Sequence, residues 1–275
     1  MTYSTLMARL ELGQSNAGLL AIAGGLASRF RAHVIGIAAC QPMQFVYGMG
    51  YVSADFFERD LADIKKDSEA AEAEFRTALM GRVETLEWRS TVVSGTLPSH
   101  FAHEARSADL IMTGPSTGDM FDASRRVDIG DLVMQVGRPV LITPTGAQTL
   151  AFNRALVAWK DTRETRRAIF NALPLLKQVA QVSVVEIAVD DRLSVARRHL
   201  EDVVGWLGRH GIKADSAAIR STGSDLDQLC AVSKENGADF IVAGAYGHSR
   251  MREWVLGGMT RDLLLRSDLC SVVSH

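Results

Sequence analysis

The sequence predicts an α/β protein made of two similar domains, each with a mainly parallel sheet flanked by helices. The chain has 275 residues, repeats itself once, and alternates short apolar runs with amphipathic segments. Single domains commonly contain about 100 to 200 residues, so this length suits two of them. Apolar runs rich in Val and Ile are typical of strands buried on both faces, and strand-helix alternation predicts parallel sheets with right-handed crossovers.

The repeat is clearest near the end of each half. "SADLIMTGPSTG" begins at Ser107, and "GADFIVAGAYGH" begins at Gly237. Both read as a small residue, Ala-Asp, an apolar run and Gly. A helical stretch precedes each of them, and an apolar strand follows, "RPVLITP" from Arg138 and "LCSVVSH" from Leu269. Self-similarity of this kind predicts two copies of one supersecondary unit.

Each half also opens with the same predicted order of strand, turn, amphipathic helix and strand. In "ETRRAIFNALPLL" apolar residues recur at helical spacing, and Glu164 lies near the start, where the helix dipole favours a carboxylate. The polar segment 143–153, "TPTGAQTLAFN", contains Gly and Pro and separates two strand signals. We therefore expect domains over 1–146 and 151–275, arranged as a pseudo-dimer.

Composition argues against several classes of partner. The formal net charge of -2 and the absence of a basic cluster argue against a nucleic-acid surface. No apolar run approaches the ~20 residues that cross a bilayer, and no secretory leader is visible, so we expect a cytoplasmic protein without a membrane partner. Cys40, Cys230 and Cys270 lack metal-binding spacing, which predicts ordinary thiols in a reducing compartment.

A glycine-rich segment, "GAYGHSRMREWVLGGMTRDLL", follows the predicted strand "DFIVA". Ligands of open α/β sheets bind beyond the carboxyl ends of strands, where the strand order reverses. Glycines with positive φ would let the backbone approach a ligand, and the first N-H groups of a following helix would attract phosphate. The segment predicts either an anion or nucleotide site or plain turns. Its candidate site residues are Ala243, Gly244, Gly247, His248, Gly257, Gly258, Met259 and Thr260.

This glycine spacing and the doubled pattern resemble the universal stress protein family in its tandem two-domain form. Nucleotide-binding members carry Gly, two residues, Gly, nine residues, Gly, then Ser or Thr. The chain matches at Gly244, Gly247 and Gly257, but Gly258 stands where the hydroxyl residue is usual, and Thr260 lies two positions on. The resemblance implies Rossmann-like domains of the adenine-nucleotide alpha hydrolase type, each with five strands, and dimerisation through the last strand. It also implies ATP or another adenine nucleotide as ligand, with Mg2+ as a candidate companion ion.

By the same resemblance, the loop after the first strand of the second half holds adenine and ribose. In "AWKDTRET", Lys160 falls where the family has Asp and Asp161 falls where it has Gly, with Trp159 just before them. Lys160 could instead reach phosphate, or Asp161 could take over the polar role. The end of the second strand, near Ile187, would line the adenine pocket.

The first half departs further from the family pattern. Gly118 comes one residue late after Gly114, and Val127 and Asp128 stand where a glycine pair is expected. A carboxylate there would repel phosphate. We therefore expect the first domain to bind no ATP and to serve as the partner half.

The resulting hypothesis is a homodimeric stress-response regulator that binds an adenine nucleotide in its second domain. No catalytic nucleophile or base stands out, and His100 and His103 lack a third metal ligand, so neither a catalytic nor a metal site is predicted. Two alternatives stay open. One is a slow ATP hydrolase that uses the same pocket, and the other is a dimeric scaffold indifferent to nucleotide.

Overall fold

The structure is a computed structural model that describes residues 2–42, 54–115, 126–245 and 268–275. Contacts divide the chain into two compact units. The first contains residues 3–136 and 145–149, and the second contains residues 137–144 and 150–275. Within the described residues, no helix has the length and apolar composition required for a bilayer span.

In the first unit, parallel strands alternate with helices. The elements are β1 (Thr5–Arg9), α1 (Ala17–Phe30), β2 (His33–Cys40), α2 (Ala54–Leu79), β3 (Leu86–Val92), α3 (Leu97–Glu104), β4 (Leu110–Thr113) and α4 (Ile129–Val136). The strands pair in the order β3-β2-β1-β4, and all of these pairs are parallel. The chain therefore builds the sheet to one side of β1 and then crosses to its other side.

The second unit repeats this plan. Its elements are β5 (Val140–Ile142), β6 (Arg154–Ala158), α5 (Arg163–Leu176), β7 (Gln181–Ala188), α6 (Leu193–Arg209), β8 (Ala214–Arg220), α7 (Asp225–Glu235), β9 (Phe240–Gly244) and β10 (Cys270–Ser274). Strands β10-β9-β6-β7-β8 are parallel neighbours in that order. The predicted α/β class, with a mainly parallel sheet flanked by helices, is therefore confirmed.

The closing strand β10 has neighbours on both edges. It pairs in parallel with β9 and antiparallel with β5, where Val272 lies opposite Leu141. The resemblance implied dimerisation through the last strand, but in this chain β5 and β9 already occupy the hydrogen-bonding edges of β10. A second copy of the chain therefore cannot add a strand to β10.

The Ala-Asp element of the repeat has a structural explanation. Asp109, just before β4, accepts hydrogen bonds at Oδ2 from the N-H groups of Ser4 and Thr5, at 2.7 and 3.0 Å. Asp239, just before β9, accepts the equivalent bonds from the N-H groups of residues 153–154, at 2.6 and 2.9 Å. In each unit this carboxylate ties the start of the first strand to the neighbouring strand, so the repeated Asp is a structural motif.

Helix α5 confirms the predicted helix at "ETRRAIFNALPLL". It begins after Thr162, whose Oγ1 accepts a hydrogen bond from Thr165 N, and Glu164 lies in its first turn as expected. Glu164 is only 3% exposed and pairs with Arg163. Because side chains already satisfy the first turn, the start of α5 is closed by its own residues.

Candidate functional site

The strand order of the second unit reverses between β6 and β9. From β6 the chain proceeds to β7 and β8 on one side, whereas β9 and β10 lie on the other. A ligand crevice is expected outside the carboxyl ends of such strands. Six predicted site residues lie at this edge: Trp159, Lys160 and Asp161 follow β6, Ile187 is near the end of β7, and Ala243 and Gly244 end β9. The other six, Gly247, His248, Gly257, Gly258, Met259 and Thr260, lie outside the described residues.

Trp159 is the first residue after β6 and is only 7% exposed. Its backbone N-H donates to Val185 O at 2.8 Å, so it continues the ladder between β6 and β7. Its indole Nε1 is buried and has no hydrogen-bond partner among the described residues. Buried polar groups in native proteins are nearly always paired, so this N-H is a candidate ligand contact.

Lys160 and Asp161 are exposed and form the turn between β6 and α5. The turn is tight, because Thr162 N donates to Lys160 O at 2.6 Å. The Asp161 carboxylate lies 3.9 Å from Arg166 Nη1 and 3.9 Å from His199 Nδ1. Lys160 makes no ion pair with a described residue, so its ammonium group is available to an anionic ligand.

Gly244 ends β9, and the structure corrects one expectation about it. Its φ is not in the positive region, so it does not form the left-handed turn predicted for this glycine. A Cβ at Gly244 would lie 2.4 Å from Thr165 N and 2.7 Å from Glu164 C. The backbone of α5 therefore packs directly on the end of β9, and the absence of a side chain permits that approach.

Glu186, on β7, was not predicted as a site residue. Ala158 is the register partner of Val185, and the next pair along these strands is Trp159 and Glu186, so their side chains lie on the same face of the sheet. Glu186 Oε2 is buried and lacks a hydrogen-bond partner in the described part of the chain. The only sequence signal was a single carboxylate inside the apolar run "VSVVEIAV".

The charges around Glu186 come from two directions. Burial raises the pKa of Glu186, and Asp161 raises it further, while His199 on α6 and Lys160 oppose the shift. His199 was likewise missed, because only the packing of α6 brings it toward the end of β6. We call the following five residues the β6–β7 cluster, a group of donors, acceptors and charges at one sheet edge: Trp159, Lys160, Asp161, Glu186 and His199.

The first unit carries different residues at the equivalent edge. Arg9 and Thr113 occupy the register positions that Ala158 and Ala243 occupy in the second unit. Arg9 is only 3% exposed, its Nε donates to Thr113 Oγ1 at 2.7 Å, and its burial lowers the pKa of its guanidinium against the opposing effect of Glu11. A long charged side chain in the first unit thus stands where the second unit has a small one.

The start of α4 in the first unit is closed by carboxylates. Asp128 Oδ1 accepts a hydrogen bond from Asp131 N at 2.9 Å. Burial and the neighbouring Asp128 raise the pKa of Asp131. The first-turn N-H groups that would favour phosphate therefore face acidic side chains.

A separate cavity of about 280 Å³ lies in the first unit. It is lined by Ile37, Ala38, Arg89, Ser90, Thr91, His100 and Glu104. Its charges are mutually paired, since Arg89 Nη1 donates to Glu104 Oε2 at 2.7 Å and Arg89 Nε donates to Glu87 Oε1 at 2.7 Å. In the described ranges, no group of three His, Cys, Asp or Glu residues is placed to hold a metal ion.

The chain has the fold of two-domain universal stress proteins. A universal stress protein from Archaeoglobus fulgidus DSM 4304 superposes with a TM-score of 0.73 at 15% identity, covering 98% of this chain and 95% of that one. A functionally unknown protein from Pseudomonas aeruginosa PAO1 superposes with a TM-score of 0.61 at 14% identity, covering 99% and 92%. The predicted resemblance is thus confirmed at the level of the fold.

Other comparisons add less. No protein-family model and no curated protein matches the sequence. A universal stress protein solved in complex with cAMP covers 53% of this chain and 100% of that one, at 19% identity and a TM-score of 0.35. Its ligand is a property of that protein.

Proposed function

We propose that this chain is a stress-response protein that binds ATP or a related adenine nucleotide in its second unit and acts as a regulator rather than a fast catalyst. The observation that carries the proposal is the pair of buried atoms, Trp159 Nε1 and Glu186 Oε2, that lack partners among the described residues. They lie at the carboxyl edge of the sheet, where α/β folds bind ligands. A ligand with complementary polar groups would satisfy both of them.

The base and the phosphates would occupy different parts of this edge. The base would lie toward β6 and β7, next to the side chains of Trp159 and Glu186, and the phosphates would lie toward β9. Lys160 is exposed between them and supplies a positive charge. The glycine-rich segment after Gly244 would add backbone N-H groups for phosphate, and Mg2+ would bind through phosphate oxygens.

The first unit would serve as the non-binding half. Buried Arg9 stands where the second unit has Ala158, and Asp128 caps the helix that would face phosphate. Nucleotide density beside Gly114 in a soaked crystal would contradict this division of roles.

The remaining parts of the proposal concern the cell and assembly. Among the described residues Cys230 and Cys270 are free thiols and Cys40 is buried, which suits a cytoplasmic protein, and burial raises the pKa of Cys270 to about 12. We propose a homodimer that uses a surface other than β10. Sedimentation velocity of the full chain tests it, and a single monomeric species at micromolar concentration would contradict it.

Isothermal titration of the full chain with ATP, with and without Mg2+, tests the central proposal. Lys160→Ala is expected to weaken binding about tenfold, or ~1.4 kcal/mol, because a charge-assisted contact to phosphate is lost. Lys177→Ala is the matched control, since Lys177 is also exposed but lies at the opposite end of α5. Its affinity should equal that of the unchanged protein.

Two outcomes would favour the alternatives. Folded protein that binds no ATP at millimolar concentration would support the nucleotide-independent scaffold. Phosphate release above background that is lost in Lys160→Ala would support the slow hydrolase.

A further inference from the structure

Trp159 and Glu186 place one donor and one acceptor on the same face of two neighbouring strands. The indole Nε1-H can only donate, and an ionised carboxylate oxygen can only accept. Both atoms are buried and unpaired within the described residues, and their residues are neighbours on β6 and β7 with side chains on one face. The pair is therefore complementary to a ligand edge that presents a donor next to an acceptor.

The first unit shows that the fold itself does not require this pair. Leu10 N donates to Ile37 O at 2.9 Å, just as Trp159 N donates to Val185 O. The positions equivalent to Trp159 and Glu186 are therefore Leu10 and Ala38, which are 2% and 1% exposed. The same backbone hydrogen bond therefore forms in the first unit with apolar side chains at both positions.

We infer that Glu186 and Trp159 determine which base the nucleotide site accepts. Glu186 Oε2 accepts a hydrogen bond from the 6-amino group of adenine, and Trp159 Nε1 donates to the ring nitrogen beside that group. The inference rests on the proposed function and names the specificity of the same site. A 6-oxo base would place an oxygen against the carboxylate, so the two acceptors would repel each other.

The electrostatic surroundings of Glu186 are mixed. Burial has the largest effect and raises the pKa of Glu186, and Asp161 also raises it, while His199 and Lys160 oppose the shift. Asp161 is itself near Arg166 and His199, each of which lies 3.9 Å from its carboxylate. Glu186 is thus the acceptor of this cluster whose oxygen is buried and still unpaired in the described residues.

Competitive titration with ATP and ITP tests the inference, because these ligands differ at the base and share ribose and triphosphate. The unchanged protein is expected to prefer ATP by about 100-fold, since a site that hydrogen-bonds a substrate group rejects an analogue that mismatches it. Glu186→Gln should bring the two affinities within about fivefold, because an amide can donate to the 6-oxo group as well as accept from an amino group.

Two further variants complete the test. Trp159→Phe keeps an aromatic ring but removes the N-H, so ATP affinity should fall about fivefold, as for one lost hydrogen bond. Glu201→Gln is the control, because Glu201 lies on α6 and is exposed. It should leave the preference for ATP unchanged.

The possible failures are distinguishable. If neither ATP nor ITP binds to folded protein, the proposed function itself is wrong. If both bind equally well to the unchanged protein, or if Glu186→Gln leaves the preference intact, nucleotide binding stands and the inference about base selection is overturned.

Discussion

The two units place different chemistry on equivalent backbone positions. Leu10 and Ala38 fill the first pair of strand ends with apolar atoms, whereas Trp159 and Glu186 bring to the second pair polar atoms that lack hydrogen-bond partners among the described residues. Both backbones continue the same ladder with nearly the same N-to-O distance. The same backbone plan therefore carries different side-chain chemistry at the carboxyl edge of each unit.

The glycines that follow the equivalent strands differ in a second way. A Cβ at Gly244 would lie 2.4 Å from Thr165 N, whereas a Cβ at Gly114 would have no atom of the described residues within 4 Å. Neither glycine has a positive φ. Packing thus requires glycine at position 244 of the second unit. The described contacts do not impose that requirement on Gly114 of the first unit.

The largest expected effect on stability comes from substituting these two glycines in turn. Gly244→Ala should lower the free energy of unfolding by about 3 kcal/mol, because the new methyl group overlaps the rigid backbone of α5. Gly114→Ala should change it by no more than about 0.5 kcal/mol, since the added Cβ would contact none of the described residues. Urea unfolding of both variants measures the difference. Equal losses would mean that the two strand ends are packed alike.

Local sequence patterns were sufficient to predict the elements, because strands and helices depend on apolar periodicity within a few residues. The family resemblance at "AWKDTRET" placed Trp159, Lys160 and Asp161 in the loop after the first strand of the second half, and these residues do follow β6. What periodicity does not contain is the register between distant strands or the face that a helix covers.

Two features of this edge lay beyond that limit. Glu186 and His199 come near Trp159 and Asp161 only because β7 pairs with β6 and α6 packs on β7, which are tertiary contacts. The positive φ expected at Gly244 was wrong for a related reason. The close approach of the Thr165 backbone requires a glycine at this position. The spacing of glycines within the segment does not reveal that tertiary contact.

The next expected effect is one that the units should share. Asp109→Ala and Asp239→Ala should each lower the free energy of unfolding by about 1 kcal/mol, because two backbone N-H groups lose their carboxylate acceptor and turn partly to water. Asp→Asn at either position keeps one acceptor oxygen and should recover most of the loss. Chemical unfolding measures both variants. If one alanine variant left the free energy of unfolding unchanged, the repeated Asp would be structural in one unit only.

The smallest expected effect concerns the charge that distinguishes the second unit. Burial and the nearby Asp161 raise the pKa of Glu186 above its ordinary value of 4.5, against the opposing effects of His199 and Lys160. The folded protein therefore holds this proton more tightly than the unfolded chain does. Stability contributed by the protonated carboxyl is present at low pH and is lost as pH rises through the raised pKa.

Keeping Glu186 ionised in a partly buried position costs stability at pH 7. Glu186→Gln removes this charge and should therefore stabilise the nucleotide-free protein at pH 7, with no gain at pH 4. The difference in melting temperature between variant and unchanged protein, followed from pH 4 to pH 8, measures the effect and cancels titrations common to both. Exposed Glu201→Gln should give a flat difference over the same range. A variant less stable than the unchanged protein at pH 7 would mean that Glu186 is needed for folding. The presence of Glu186 in the second unit, where the first has Ala38, would then be explained by packing. It would not indicate a binding residue that is retained although it lowers stability.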